Sequence, residues 1–219
     1  GGQVHVEIES NHVNPMAGKS DIEVFVPAGA SVSIEGFQAT ISVAGVTGSV
    51  SAETVNGSIT QAGAAKGVEL ESVNGTIEVT KATGRVHAEA VNGTVTVRDA
   101  SGELEASTVN GKVLVTGGSF DRATLGSVSG GVRFEAGLSA KATLSVESVS
   151  GTVDLFLPAG LGAEFKVSSF SGDIVNELGP AAEKTSRWTP GKELSFTSGA
   201  GGVRITGETR SGTVNIRKR

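Results

Sequence analysis

The sequence predicts an all-β protein: a single elongated β-solenoid, built from a two-sheet coil of about 18 residues per turn, with no significant helix. The first observation is a repeat. Val55-Asn56-Gly57, Val73-Asn74-Gly75, Val91-Asn92-Gly93 and Val109-Asn110-Gly111 fall 18 residues apart each time, and a fixed period of that length marks a stacked array. The series stretches slightly through Val128-Ser129-Gly130, Val149-Ser150-Gly151 and Phe170-Ser171-Gly172, with Arg210-Ser211-Gly212 as a late echo. The second observation is that residues between the turns alternate polar and apolar, and no i, i+3, i+4, i+7 apolar series is present, so the period is that of strands. The third is physical. A strand and turn of about nine residues cannot bury its own apolar face, so each coil must lie on the next. About ten coils at roughly 4.8 Å each give a rod on the order of 50 Å long.

Taken in order, residues 1–30 read as irregular strands that cap the array, within one domain spanning 1–219. Val4-His5-Val6-Glu7-Ile8 alternates as a strand, residues 11–19 form a loop around Asn14-Pro15 and Gly18, and residues 21–26 alternate again. Pro27-Ala28-Gly29 then closes that strand, and the phrase returns as Pro158-Ala159-Gly160 after Phe156-Leu157. Proline at a strand end with glycine behind it makes a corner rather than a break. Residues 31–175 are the regular coils. Each turns once at Asn-Gly and once at Ala-x-Gly, as in Ala65-Lys66-Gly67, Ala82-Thr83-Gly84 and Ala100-Ser101-Gly102. Two inward columns are expected: Val55, Val73, Val91, Val109, Val128 and Val149, and Ile59, Ile77, Val95, Val113, Val132 and Val153. β-Branched residues suit such a thin core, and the small Ala88 and Ala106 require the two sheets to lie close. Residues 176–192 hold Gly179-Pro180, Pro190-Gly191 and the single tryptophan, Trp188. That composition reads as an inserted loop or a lid over one sheet. Residues 193–219 are the final coils, and residues 213–216 end the chain as a nearly bare strand.

Composition narrows the function classes. The chain has 219 residues, 32 glycines and no tyrosine, with a net charge of −5 from 18 basic and 23 acidic residues. That balance disfavours nucleic acid as a partner, and the basic Arg217-Lys218-Arg219 is too short to change it. With no cysteine there is neither disulfide, thiolate metal site nor cysteine nucleophile. No apolar run is long enough to form a transmembrane segment. The chain opens Gly1-Gly2-Gln3 without an initiator methionine, as expected of a processed fragment from which a signal or anchor has been removed.

The candidate chemistry is sparse. Asn56, Asn74, Asn92 and Asn110 form a column, but asparagine before glycine suits a tight turn, and stacked asparagines hydrogen-bond along an in-register array. The change to Ser129, Ser150 and Ser171 fits a structural column better than a ligand column. Glu53, Glu71 and Glu89 stack outward beside a second column of Glu69, His87 and Glu105. Like charges about 4.8 Å apart either splay into water or are bridged by a cation, and oxygen-only ligands would suit Ca²⁺. A solvated charged face is the plainer reading, so no metal is assigned. His5, His12 and His87 stand on separate coils or loops, and no H-x-x-x-H, G-x-S-x-G or phosphate-loop signature is present. Catalytic, cofactor-binding and metal residues are therefore all read as none. An ice-binding Thr-x-Thr row is excluded because only Thr94/Thr96 is complete among Ser58/Thr60, Thr76/Glu78, Lys112/Leu114 and the later coils.

The Val-Asn-Gly-x-Val/Ile-x-Val half-coils, the Pro-Ala-Gly corners at 27–29 and 158–160, and Thr209-Arg210-Ser211-Gly212-Thr213-Val214-Asn215-Ile216 together resemble a bacterial family of β-strand-repeat domains. That family carries the label adhesin and is a domain of unknown function. The resemblance covers residues 20–219 and implies an exported protein: extracellular, on the cell surface or in the periplasm. The family has no agreed catalytic or binding residues to carry over, and function argued from architecture is analogy. The expectation is a non-enzymatic, secreted or envelope β-solenoid presenting an adhesive or scaffold surface to a protein or glycan ligand. The alternative is a self-assembling homo-oligomer or filament stacked end to end, because open solenoid ends expose unpaired backbone groups. A polysaccharide-binding or polysaccharide-processing solenoid has less support, since such enzymes set carboxylates across a groove. The Trp188 loop is the other candidate contact point.

Overall fold

The structure, a computed structural model, describes residues 22–185 and 190–219. Within them the chain forms strands without helices, all joined in one sheet of 16 strands that is folded at its corners into two faces. The longer face begins with β1 (Val32–Gly36), β3 (Ser49–Asn56), β5 (Gly67–Asn74), β7 (Arg85–Asn92) and β9 (Ser101–Asn110). The shorter face interleaves β2 (Ile41–Ala44), β4 (Ile59–Ala62), β6 (Ile77–Thr80) and β8 (Val95–Arg98). The next strands, β10 (Val113–Ser129) and β11 (Val132–Leu157), run unbroken around corners and serve both faces. All these pairings are parallel, and equivalent residues of successive coils face one another: Val50 with Val68, Val68 with Val86, Ile59 with Ile77, Ile77 with Val95.

The core follows from that register. Val50, Val68, Val86 and Leu104 form one buried column on the long face, with Ala52, Leu70, Ala88 and Ala106 beside it. Ile59, Ile77, Val95 and Val113 face them from the short face. Burying each valine or leucine contributes about 1.5–3 kcal/mol, and the alanines set how closely the sheets approach. Where the repeat stretches beyond 18 residues, Phe120 and Phe134 fill the extra width, their rings 6.3 Å apart and tilted by 53°.

One expected column is reversed. Val73, Val91, Val109, Val128 and Val149 point outward and are 36–46% exposed, while the residue before each is the buried one. Residues two apart on a strand share a face, so valine follows Glu71 and Glu89 outward. The inward position next to the corner has a polar task. Thr54, Ser72, Thr108 and Ser127 donate hydroxyl hydrogen bonds to the carbonyls of Ala39, Gly57, Gly93 and Gly111, at 3.1, 3.1, 3.0 and 3.4 Å. A valine there would leave a buried carbonyl without that donor.

The end of the array also differs from the expectation. The closing strands are β12 (Ala163–Ser169), β13 (Ile174–Asn176), β14 (Glu183–Lys184), β15 (Lys192–Ser198) and β16 (Val203–Lys218). β16 is not bare: it lies between β11 and β12, parallel to both, and its last turn also pairs with β13. β15 runs antiparallel on the outer side of β12, and β14 runs antiparallel to β15. The solenoid has about seven turns, fewer than the roughly ten that stacking every repeat would give, and the antiparallel β14 and β15 do not lengthen its parallel stack. Phe196 of β15 stacks on Phe165 of β12 with centroids 4.5 Å apart, and Gly179 of the connecting segment passes against the Phe196 ring. Both Pro-Ala-Gly corners form as expected, with the Ala30 and Leu161 amides donating to the Pro27 and Pro158 carbonyls at 2.9 and 3.1 Å.

The coils approach closely at the Asn-Gly corners and closest at the Ser-Gly corners that follow them, where a Cβ at Gly130 or Gly151 would lie 1.7 or 1.5 Å from the preceding glycine's carbonyl oxygen. A Cβ at Gly75 would lie 1.8 Å from the Gly57 carbonyl oxygen, at Gly93 1.8 Å from that of Gly75, and at Gly111 1.9 Å from that of Gly93. Gly29 has nothing within 4 Å of such an atom. Gly93→Ala is therefore expected to lower the unfolding free energy by about 3 kcal/mol or more, and Gly29→Ala to change it by less than about 0.5 kcal/mol. Urea titrations of the two variants check this; equal midpoints would show that the corner tolerates a side chain.

Candidate binding face

The outward side of the long face carries three columns of side chains set by the register. Glu35, Glu53, Glu71 and Glu89 pair in sequence across β1, β3, β5 and β7. The same column continues through Ser107 and Gly126 to Glu147 and Glu208. Beside it stand Ser33, Ser51, Glu69, His87 and Glu105. His87 Nδ1 is 3.4 Å from a Glu105 oxygen and its Nε2 is 4.0 Å from a Glu89 oxygen. On the other side of the glutamates runs the exposed apolar column, from Phe37 (71% exposed) through the valines to Phe170 (67%), broken by Arg210 at the level of β16.

Both expected acidic columns are thus assembled. The sequence reading missed their extensions. Glu35 lies one period before Glu53 and was available from the repeat; Glu208 was not, because it sits beside Glu147 through a pairing across 61 residues of chain. Among the described residues, no three His, Asp or Glu side chains converge as a metal cage would require. Glu35, Glu53, Glu71, Glu147 and Glu208 make no ion pair within the described residues. Where Ser107 and Gly126 interrupt the glutamates, the surface dips into a shallow trough of about 430 Å³ between Glu89, Glu147 and the valine column at Val109 and Val128.

The asparagines do what in-register stacking allows. Asn74, Asn92 and Asn110 each donate from Nδ2 to Oδ1 of the preceding asparagine, at 3.0, 2.9 and 2.9 Å. The ladder edges the apolar column along the corner. On the opposite, short face, Phe156 lies between Arg133 and Arg217, with guanidinium carbons 4.4 and 5.8 Å from the ring centroid. Glu135 pairs with Arg133 at 2.8 Å and Asp154 with Arg217 at 3.6 Å, so this cluster is internally neutralised. Trp188, His5 and His12 lie outside the described residues.

Asn74→Ala removes two ladder bonds at an exposed site, and a loss of about 1 kcal/mol is expected. Asn74→Ser is expected to fall between that and wild type, since Ser129 and Ser150 hold the equivalent positions. Thermal or urea unfolding measures both.

No curated protein and no solved structure matches the chain. A family model does: residues 2–217 match the one described as Toastrack DUF4097, a domain of unknown function, and the chain belongs to that family.

Proposed function

We propose that this chain is a non-enzymatic, exported or envelope-associated binding module whose working surface is the outward side of the long face. The observation that supports it is the continuous apolar column of Val73, Val91, Val109, Val128 and Val149, with Phe37 at one end and Phe170 beyond the Arg210 break at the other, lying between a carboxylate column and an asparagine ladder. Apolar surface gathered in one patch and rimmed by polar groups is characteristic of interaction sites. The apolar column supplies contact area, and the adjoining glutamates favour a partner with basic groups opposite them. The face is rigid because its spacing is set by backbone pairing, so binding orders few side chains. The carboxylates stand in rows on one strand face rather than across a groove, which is the wrong arrangement for glycoside hydrolysis. End-to-end filaments have less support as a reading, since the β12 end of the stack carries antiparallel β15 and β14.

The test separates binding from folding. Val73→Ser, Val91→Ser, Val109→Ser and Val128→Ser combined alter exposed side chains and are expected to shift the urea midpoint little. On arrays of extracellular-matrix proteins, cell-wall glycans and envelope proteins, wild type is expected to retain specific partners that the quadruple variant loses by tenfold or more. Glu53→Gln with Glu71→Gln is expected to reduce the salt dependence of the same binding. Binding undiminished in the valine variant, or no binding by either protein, would remove this face as the working surface. Protease accessibility on intact cells tests the exported location.

A further inference from the structure

The chain does not stack in the order in which it is written. β11 and β12 are consecutive in sequence, yet β16 lies between them. β16 is paired to β11 from Thr143–Arg204 to Leu157–Lys218 and to β12 from Ala163–Val203 to Ser169–Thr209. Removing β16 would open a slot with unpaired backbone groups on both walls and an exposed core column, since Val203, Ile205, Val214 and Ile216 are all buried. Such a slot must be filled.

The slot is selective. A Cβ at Gly212 would meet the Gly151 carbonyl oxygen at 1.9 Å, and one at Gly172 would meet that of Gly212 at 1.9 Å. Gly207 packs so closely that a Cβ would lie 3.3 Å from Val167 Cγ1. A strand fitting this space needs apolar residues at the β16 inward positions and glycine at two places five residues apart, as the chain's own last segment has. A second copy therefore carries an occupant of the right chemistry.

β16 is reached from β15 through residues 199–202 alone, which cross over the start of β12. Gly199, Gly201 and Gly202 have φ of 59°, 71° and 124°, and Val203 N donates to the Gly162 carbonyl at 3.1 Å. Short hinges held in left-handed backbone are where an element exchanges between copies, because the open form releases the turn while keeping every strand contact.

We propose that the slot between β11 and β12 is a strand-acceptor site that takes either the chain's own β16 or that of a second copy, giving reciprocal strand-exchanged dimers in which Gly199–Gly202 is the hinge. The site is distinct from the outward long face and does not depend on its function.

Glu147 on the β11 wall and Glu208 on the strand that fills the slot are paired neighbours and exposed, and the sequence has no cysteine. Parallel neighbours sit about 4.8 Å apart, within the reach of a disulfide. Full-length Glu147→Cys and Glu208→Cys chains, one bearing a mass tag, are mixed, unfolded together, refolded at high concentration and oxidised. The expected result on a non-reducing gel is a covalent heterodimer that forms after joint refolding and is several-fold weaker when the chains are refolded separately and then mixed. The Glu147→Cys/Glu208→Cys double variant is expected to close within one chain. Closure of the double variant without any heterodimer in the mixture would overturn the exchange, as would equal heterodimer with and without joint refolding. Failure of the double variant to close would remove β16 from the slot and the proposal with it.

Discussion

One backbone approach organises this molecule. At each Asn-Gly corner a carbonyl oxygen of the preceding coil, that of Ala39 at Gly57 and of a glycine at Gly75, Gly93 and Gly111, occupies the space where the corner glycine's Cβ would be. Coils can rise by one strand spacing and still turn sharply only if no side chain intervenes there. That approach leaves a carbonyl inside the corner, and the buried Ser or Thr three residues ahead of the glycine donates to it in most coils. Ala90 stands at that position in one coil, which turns without the hydroxyl. The glycine contact is therefore the primary constraint and the hydroxyl a reinforcement.

The outward surface is a consequence of the same corner. Once the residue three before the glycine is turned inward, its neighbours on either side must face out. That places Glu71 and Val73, or Glu89 and Val91, side by side on one exposed face. A row of carboxylates at strand spacing is self-repelling, but fully hydrated side chains can splay and salt screens them. The asparagine ladder along the edge needs no such relief, because each amide both donates and accepts. An apolar strip held between a charged row and a neutral hydrogen-bonded row is the most distinctive chemical feature of this surface.

The closing end is held differently from the regular coils. β16 is fastened by side chains as well as backbone: Asn215 donates to Asp154 at 2.9 Å, Thr206 to Ser145 at 3.2 Å, and Arg217 reaches both Asp154 and the Phe156 ring. Antiparallel β15 then covers β12, with Phe196 against Phe165. Edge strands invite pairing with other chains, and reversing the chain direction at the last level is how this fold limits further parallel growth at that end.

The sequence by itself determined the coil, its period, the alternation, the Asn-Gly and Pro-Ala-Gly corners, and the pairing of Glu53 with Glu71 and Glu89, because each depends on residues within one period of one another. Two things lay beyond it. The facing of the valine column depends on which of two neighbouring residues meets the corner carbonyl, and hydrophobicity favoured valine where a hydrogen-bond donor was required. The position of β16, and with it the Glu147–Glu208 pair, depends on contacts between segments some 60 residues apart, which leave no periodic trace. Only the tertiary structure decided those, since the slot exists only once β12 has been set two strand levels from β11.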